Sequence, residues 1–312
     1  MRRVNLVLLA LCLGAILLAG CRKPEAGALR IVALPVLDAL PLYVAEAEGY
    51  FAAQGIKVEL VPAASAAERD QLLQAGQIDG FITDLVALAL YNRESTQVVA
   101  VRYAMVPTAD FAQFRILAAA KSGIDTVEDL RGVPIGVSEG TVIEYVTHRL
   151  LQAEGLPTDA IATLAVPKIP DRMALLDAGE LSAATLPEPL ASLAMQQGAM
   201  LIVDDTRHPE IACSLYAFRK EVIDQQPQTV RAFLAAIDQA SDAINADKSR
   251  WSDLLTEKGL VPAPLTGAYT LPDYPTNAVP TAAQFADAVA WLLETGRLTT
   301  TPTYEDSVDG RR

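Results

Sequence analysis

Leu72-Leu73-Gln74-Ala75-Gly76-Gln77-Ile78-Asp79-Gly80 returns, roughly 100 residues further on, as Leu175-Leu176-Asp177-Ala178-Gly179-Glu180-Leu181-Ser182-Ala183. Each stretch reads as the end of a helix, a glycine that closes the last turn with φ above zero, and the start of an apolar strand. Working outward from the first copy, the pattern predicts strand 29–32, loop 35–41, helix 42–54 stopped by Gly55, alternating strand 56–61, helix 67–75 and strand 78–83. Around the second copy the same order recurs: strand 133–137, helix 141–154 stopped by Gly155, strand 161–166, helix 172–178 and strand 181–186. Strands alternating with helices predict an α/β fold. A unit this long can bury its own sheet, so the repeat predicts two similar lobes and not a solenoid.

Beyond the second copy, 214–218 is strand-like, and Pro227 opens a helix at its favoured first position, with Val230, Phe233, Leu234, Ile237 and Ile244 at helical spacing. Another helix is expected around Trp251, Leu254 and Leu255. A Pro-rich connection follows at 261–280, then a last helix at 281–294 ended by Gly296, and a polar tail expected to fray.

The first twenty residues carry Arg2 and Arg3, then an apolar run at 4–19 with no acidic residue, the pattern of a secretory signal. The run is short for a membrane span and ends in the small residues Ala19 and Gly20. Leu18-Ala19-Gly20-Cys21 resembles the lipobox of bacterial lipoproteins, which implies cleavage before Cys21 and a lipid on its thiol. The expected organisation is therefore a signal at 1–20 and a lipidated tether at 21–28, placing the folded part outside the cytoplasm. Of three cysteines, Cys12 lies in the signal and Cys21 at the anchor, so Cys213 is left as a buried structural thiol and no disulfide is expected. A net charge of −13 argues against nucleic acid or anionic membrane surfaces as partners.

Several stretches resemble the bacterial solute-binding family that serves sulfonate, taurine, nitrate and thiamine-precursor importers. They are Tyr43-Val44-Ala45-Glu46-Ala47-Glu48-Gly49-Tyr50-Phe51 with Gly55-Ile56-Lys57-Val58-Glu59, the step at 73–83, the step at 126–137 (TVEDLRGVPIGV), and Pro187-Glu188-Pro189. They lie in the family's order over most of 29–294. The resemblance implies a two-lobe periplasmic-binding-protein-like (type 2) fold with the ligand cleft between the lobes. It also implies crossings near 113–117 and 212–216, so that lobe 1 is discontinuous (29–114 plus 215–312) and lobe 2 is 115–214. The protein would be a monomeric receptor that captures a small molecule and hands it to an ABC permease, with no cofactor and no catalysis.

Ligands of open α/β sheets bind beyond the carboxyl ends of the strands. Four loops qualify: 35–39 with Val36, Leu37 and Asp38; Thr83 and Asp84; Ser138, Glu139, Gly140 and Thr141; and the loop carrying Glu188. The third opens a helix and offers free N–H groups to an anion, against which Glu139 and Glu144 stand. No basic residue lies in any of the four, so the ligand is expected to be neutral or to carry an amine or heterocycle. Tyr103, Phe111, Phe114 and Tyr216, near the crossings, are candidates for stacking on a flat ligand. His148 and His208 are expected at the surface, and with Cys213 they are too scattered for a metal site. No phosphate loop, nucleophile elbow or HExxH helix is present in the sequence. Two other roles remain: a ligand-sensing lipoprotein that signals to a membrane partner, and a thiamine-pyrimidine-synthase-like enzyme, against which the single body cysteine and the export signal argue.

Overall fold

The structure is a computed structural model and describes residues 28–63 and 65–310. The expected signal at 1–20 and the anchor at Cys21 lie outside the described residues.

In chain order the strands are β1 Leu29–Ala33, β2 Val58–Pro62, β3 Gly80–Thr83, β4 Val98–Met105, β5 Phe114–Ala118, β6 Pro134–Val137, β7 Ala162–Ala165, β8 Ala183–Pro187, β9 Met200–Asp204 and β10 Ser214–Arg219. The α-helices are α1 Leu40–Ala47, α2 Tyr50–Ala53, α3 Ala66–Gln74, α4 Leu85–Tyr91, α5 Val142–Ala153, α6 Ile169–Asp177, α7 Leu190–Gln196, α8 Lys220–Gln225, α9 Pro227–Ala246, α10 Ser252–Glu257, α11 Ala282–Glu294 and α12 Tyr304–Ser307. The predicted helix 42–54 is two helices, because Gly49 takes φ 72° between them, a left-handed conformation that stops the first and turns the chain into the second. At the two matched stops, Gly76 and Gly179 have φ 66° and 72°.

The strands form two five-stranded sheets, β2-β1-β3-β10-β4 and β7-β6-β8-β5-β9. In the first, β1 runs parallel to β2 and β3, and β10 is antiparallel to β3 and β4. In the second, β6 runs parallel to β7 and β8, and β5 is antiparallel to β8 and β9. The two sheets are copies of one another, except that the antiparallel strand is exchanged: β5 follows β4 in sequence but joins the second sheet, and β10 follows β9 but returns to the first. The helix before each central strand buries an arginine at the matched position. Arg69 in α3 donates from Nη1 to the Ile82 carbonyl at 3.0 Å, and Arg172 in α6 donates from Nη1 to the Thr185 carbonyl at 2.7 Å.

Apolar packing follows from the sheets. On one face of the first sheet, Tyr216 and Phe218 of β10 meet Phe233 of α9 edge-on, and Phe51 stacks on the same ring. A second apolar body includes Phe81 and Leu85 from the first half with Ile135, Tyr145 and Val146 from the second, and Phe285, Val289 and Trp291 of α11. Helix α11 thus packs against both α4 and α5, its start tied down by a reciprocal capping box between Thr281 and Gln284. The tail does not fray: Val308 bridges Ala100 of β4, Asp309 N–H donates to the Ala100 carbonyl at 2.9 Å, and Ser307 is buried. Among the described residues no helix is long and apolar enough to cross a membrane, and no group of His, Cys, Asp and Glu could hold a metal ion.

Candidate functional site

The loops carrying Asp38 and Glu188 meet where the two sheets exchange strands, the Glu188 N–H donating to the Gln113 carbonyl at 2.9 Å. After β1, a 3-10 turn at Leu37–Ala39 buries Leu37, whose carbonyl accepts from the Tyr274 hydroxyl at 2.8 Å, while Val36 stays exposed. Asp38 in that turn accepts a hydrogen bond from the Ser214 hydroxyl, and Ser214 Oγ in turn accepts from Gln113 Nε2 at 2.6 Å. Gln113 precedes β5 and Ser214 opens β10, so both crossing segments converge on Asp38. Burial raises the Asp38 carboxyl above the ordinary aspartate range, and the Ser214 bond opposes it. The Gln113 Oε1 and the Tyr216 hydroxyl are buried without a hydrogen-bond partner.

Asp205 fixes the same junction from the second sheet. Its carboxylate, fully buried, accepts from the backbone N–H groups of Gln113 at 2.8 Å and Phe114 at 3.0 Å. Burial raises its pKa to about 7, against the lowering effect of those two donors.

Asp84 caps α4, its side chain accepting from Ala87 N–H at 2.9 Å, and burial raises its pKa. Thr83 beside it is buried, with no partner for its hydroxyl. Ser138 Oγ donates to the Pro167 carbonyl at 3.0 Å and accepts from Arg172 Nη2 at 2.5 Å. Thr141 caps α5 and donates to the Ser138 carbonyl at 2.6 Å. Gly140 N–H, the donor that a helix start would offer to an anion, is taken by the buried carboxylate of Glu144 at 2.6 Å. Arg297, just past α11, holds Glu144 at 2.9 Å and the exposed Glu139 at 3.3 Å while lying over the Trp291 ring. Glu188 lies before a cis peptide bond to Pro189, forms an ion pair with Arg115 at 2.6 Å and accepts from the Tyr269 hydroxyl at 3.2 Å.

The structure adds to three expectations. The four loops contain no basic residue, yet the fold brings three arginines to two of them: Arg115 to Glu188, and Arg172 and Arg297 to Ser138 and Glu139, Arg297 also holding Glu144 of α5. The Tyr216 ring offers no open face, being packed edge-on against Phe233, and Phe111 and Phe114 are buried as well. His148 is not a plain surface residue: its Nδ1 accepts the Trp291 indole N–H at 3.1 Å, and burial lowers its pKa. Sequence reasoning passed over Arg115, Asp205, Tyr269 and Arg297, whose partners lie 73 or more residues away. Only Arg172 had a signal, its match to Arg69 in the repeat.

A pocket of about 220 Å³ lies apart from this cluster, lined by Lys248, Leu255, Val261 and Leu271 among others, and shares with it only Tyr269. The Arg297–Glu144 pair permits a direct test. Arg297→Met leaves Glu144 buried without its cation and is expected to lower stability by about 1–3 kcal/mol, whereas Glu139→Gln, at an exposed partner, should change it by less than about 0.5 kcal/mol. Urea unfolding of both variants measures this, and equal effects would mean that burial of Glu144 plays no part.

The two sheets with their exchanged strands have the topology of the two-lobe, type 2 periplasmic-binding-protein fold. The chain belongs to the NMT1/THI5-like family, whose model matches residues 37–249. It is 26% identical over 172 residues to a curated Escherichia coli K12 protein named as an aliphatic sulfonates-binding protein. That match covers 55% of this chain and spans about half of the relative, 53% of it. The crystal structure of the periplasmic aliphatic sulphonate binding protein SsuA from Escherichia coli superposes with a TM-score of 0.76 at 22% identity, covering 91% of this chain and 98% of that one. The desulfurization enzyme DSZB superposes at 0.63 with 16% identity over 90% and 96% of the two chains. At these identities the likeness carries the fold alone, and that fold serves both binding proteins and an enzyme.

Proposed function

We propose that this chain is the solute-binding component of an ABC import system, held outside the cytoplasm by lipid on Cys21. Lobe 1 comprises 29–114 with 215–312 and lobe 2 comprises 115–214. The observation that carries the reading is the meeting of both crossing segments at Asp38, through Gln113 and Ser214, with buried polar atoms left unpartnered there. A hinge lined by unsatisfied polar groups gives a ligand something to bind only when both lobes surround it, and binding then favours the closed form. The Tyr269 hydroxyl on Glu188 adds a bond from the C-terminal part of lobe 1 to lobe 2.

The chain acts by binding and not by turnover. Its one body cysteine is a poor nucleophile, buried and with its thiol pushed well above the ordinary range by desolvation. The delivery partner is a permease in the membrane, and one copy of the chain suffices to bind.

A thermal-shift screen of the Cys21→Ser form lacking residues 1–20, against a broad library of small solutes, tests the reading. A solute that binds only the folded state raises the melting temperature; a library that moves it nowhere would remove the main support. The anchor is tested separately. Cells fed radiolabelled palmitate are expected to label the unaltered chain and not Cys21→Ser, and label persisting in the serine form would refute lipid at that position.

A further inference from the structure

The charges at the strand ends do not cancel evenly. Glu188 is matched by Arg115, Glu144 by Arg297, and Asp84 is spent on the start of α4. Asp38 has no ion pair among the described residues; its carboxylate receives the Ser214 hydroxyl and its own backbone N–H. It is half-buried, two residues from the exposed Val36, and so is not sealed from solvent. Independently, the Gln113 side chain is buried and its Nε2 is held on Ser214 Oγ, which leaves Oε1 beside the same hydroxyl with nothing to accept from. The buried Tyr216 hydroxyl, also unpartnered, has Asp38 as a charged neighbour. A desolvated carboxylate and an unsatisfied amide oxygen around one hydroxyl are jointly short of N–H donors and of positive charge.

The place where such a fold would most readily receive an anion is closed to one. The start of α5 has its Gly140 N–H already occupied by Glu144, and Glu139 adds a further negative charge at its mouth. A sulfonate arriving there would have to displace a buried carboxylate that a guanidinium holds in place.

We infer that the cleft selects a small solute that presents an amine to Asp38 and Gln113, and that it turns alkanesulfonates away. The inference rests on the receptor reading and sharpens it to a ligand class. It also separates this chain from the sulfonate-binding relative it partly matches.

The experiment uses the full chain in detergent micelles, titrated calorimetrically with methylamine, putrescine, tyramine and ethanesulfonate. At least one amine is expected to bind, ethanesulfonate is expected to give no binding heat, and Asp38→Asn is expected to weaken the bound amine tenfold or more. Because Asp38→Asn could also disturb the junction, its unliganded melting temperature is measured. The hydroxyl analogue of the bound amine is titrated on the unaltered chain as well, where the same tenfold loss is expected. Micromolar binding of ethanesulfonate, or of the hydroxyl analogue as tightly as the amine, would overturn the inference and leave the receptor reading standing. An amine panel that fails while another solute binds would do the same. If no solute of any class binds, both readings fall together.

Discussion

Arg172→Met is expected to lower the stability of the fold by about 3 kcal/mol or more. The guanidinium is fully buried and donates to the Val166 carbonyl at 3.0 Å, the Thr185 carbonyl at 2.7 Å and Ser138 Oγ at 2.5 Å. Ser138 follows β6, Val166 follows β7 and Thr185 is the middle of β8, so one side chain ties the ends of two strands to the centre of a third. No carboxylate shares the site, and desolvation lowers the Arg172 pKa to about 10. The side chain is held by neutral dipoles alone. Methionine keeps most of the volume and leaves the two carbonyls unpaired. Arg69→Met should cost less, since Asp70 and the Tyr91 hydroxyl remain bonded to each other at 2.6 Å. Equilibrium unfolding in urea distinguishes the two, and a loss below about 1 kcal/mol for Arg172→Met would show that water replaces the guanidinium at little cost.

The second large effect concerns Asp205 and depends on pH. In the folded chain its carboxyl keeps its proton up to about pH 7, whereas in the unfolded chain it releases it near about pH 4. Between these values the folded state binds more protons than the unfolded state, so the contribution of Asp205 to stability falls as pH rises. The stability of the unaltered chain relative to Asp205→Asn is therefore expected to drop by up to about 4 kcal/mol from pH 4 to pH 7.5. Asparagine at 205 stays neutral throughout and should flatten this part of the profile, while losing one of the two acceptors for Gln113 and Phe114 N–H. Asp204, its acidic neighbour in the sequence, pushes in the same direction as burial. Unfolding free energies of both forms across that range settle it; a constant difference would mean that Asp205 titrates as an ordinary aspartate.

Much of the scaffold was legible because its punctuation is local. Gly76 and Gly179 stop helices by their own backbone conformation, and the strands that follow carry the matched positions of the repeat. Strand β4 was not found, since 98–105 is buried on both faces and shows no alternation, and β5 was read only as a crossing. Their pairing partners also lie far off in sequence, β10 for β4 and β8 with β9 for β5. The positions of the site loops were legible for a topological reason, strand ends being where such sheets bind. What the loops touch was not. Charge composition within a loop says nothing of an arginine that reaches it from another element, as Arg297 reaches Glu144. Carrying the repeat three residues back from Leu72 and Leu175 would have set Arg69 over Arg172 and exposed one of them.

The exchange of β5 and β10 has a bearing on how the chain is made. Strand β4 stands at the edge of its sheet with β10 as its one strand neighbour in that sheet, and β10 ends at Arg219. As the polypeptide leaves the ribosome, its first half cannot finish its own sheet; the edge strand waits until the whole of the other half has been synthesised. Val308, which bridges Ala100 of that edge strand, is made later still. The first sheet thus stays one strand short until β10 has been made.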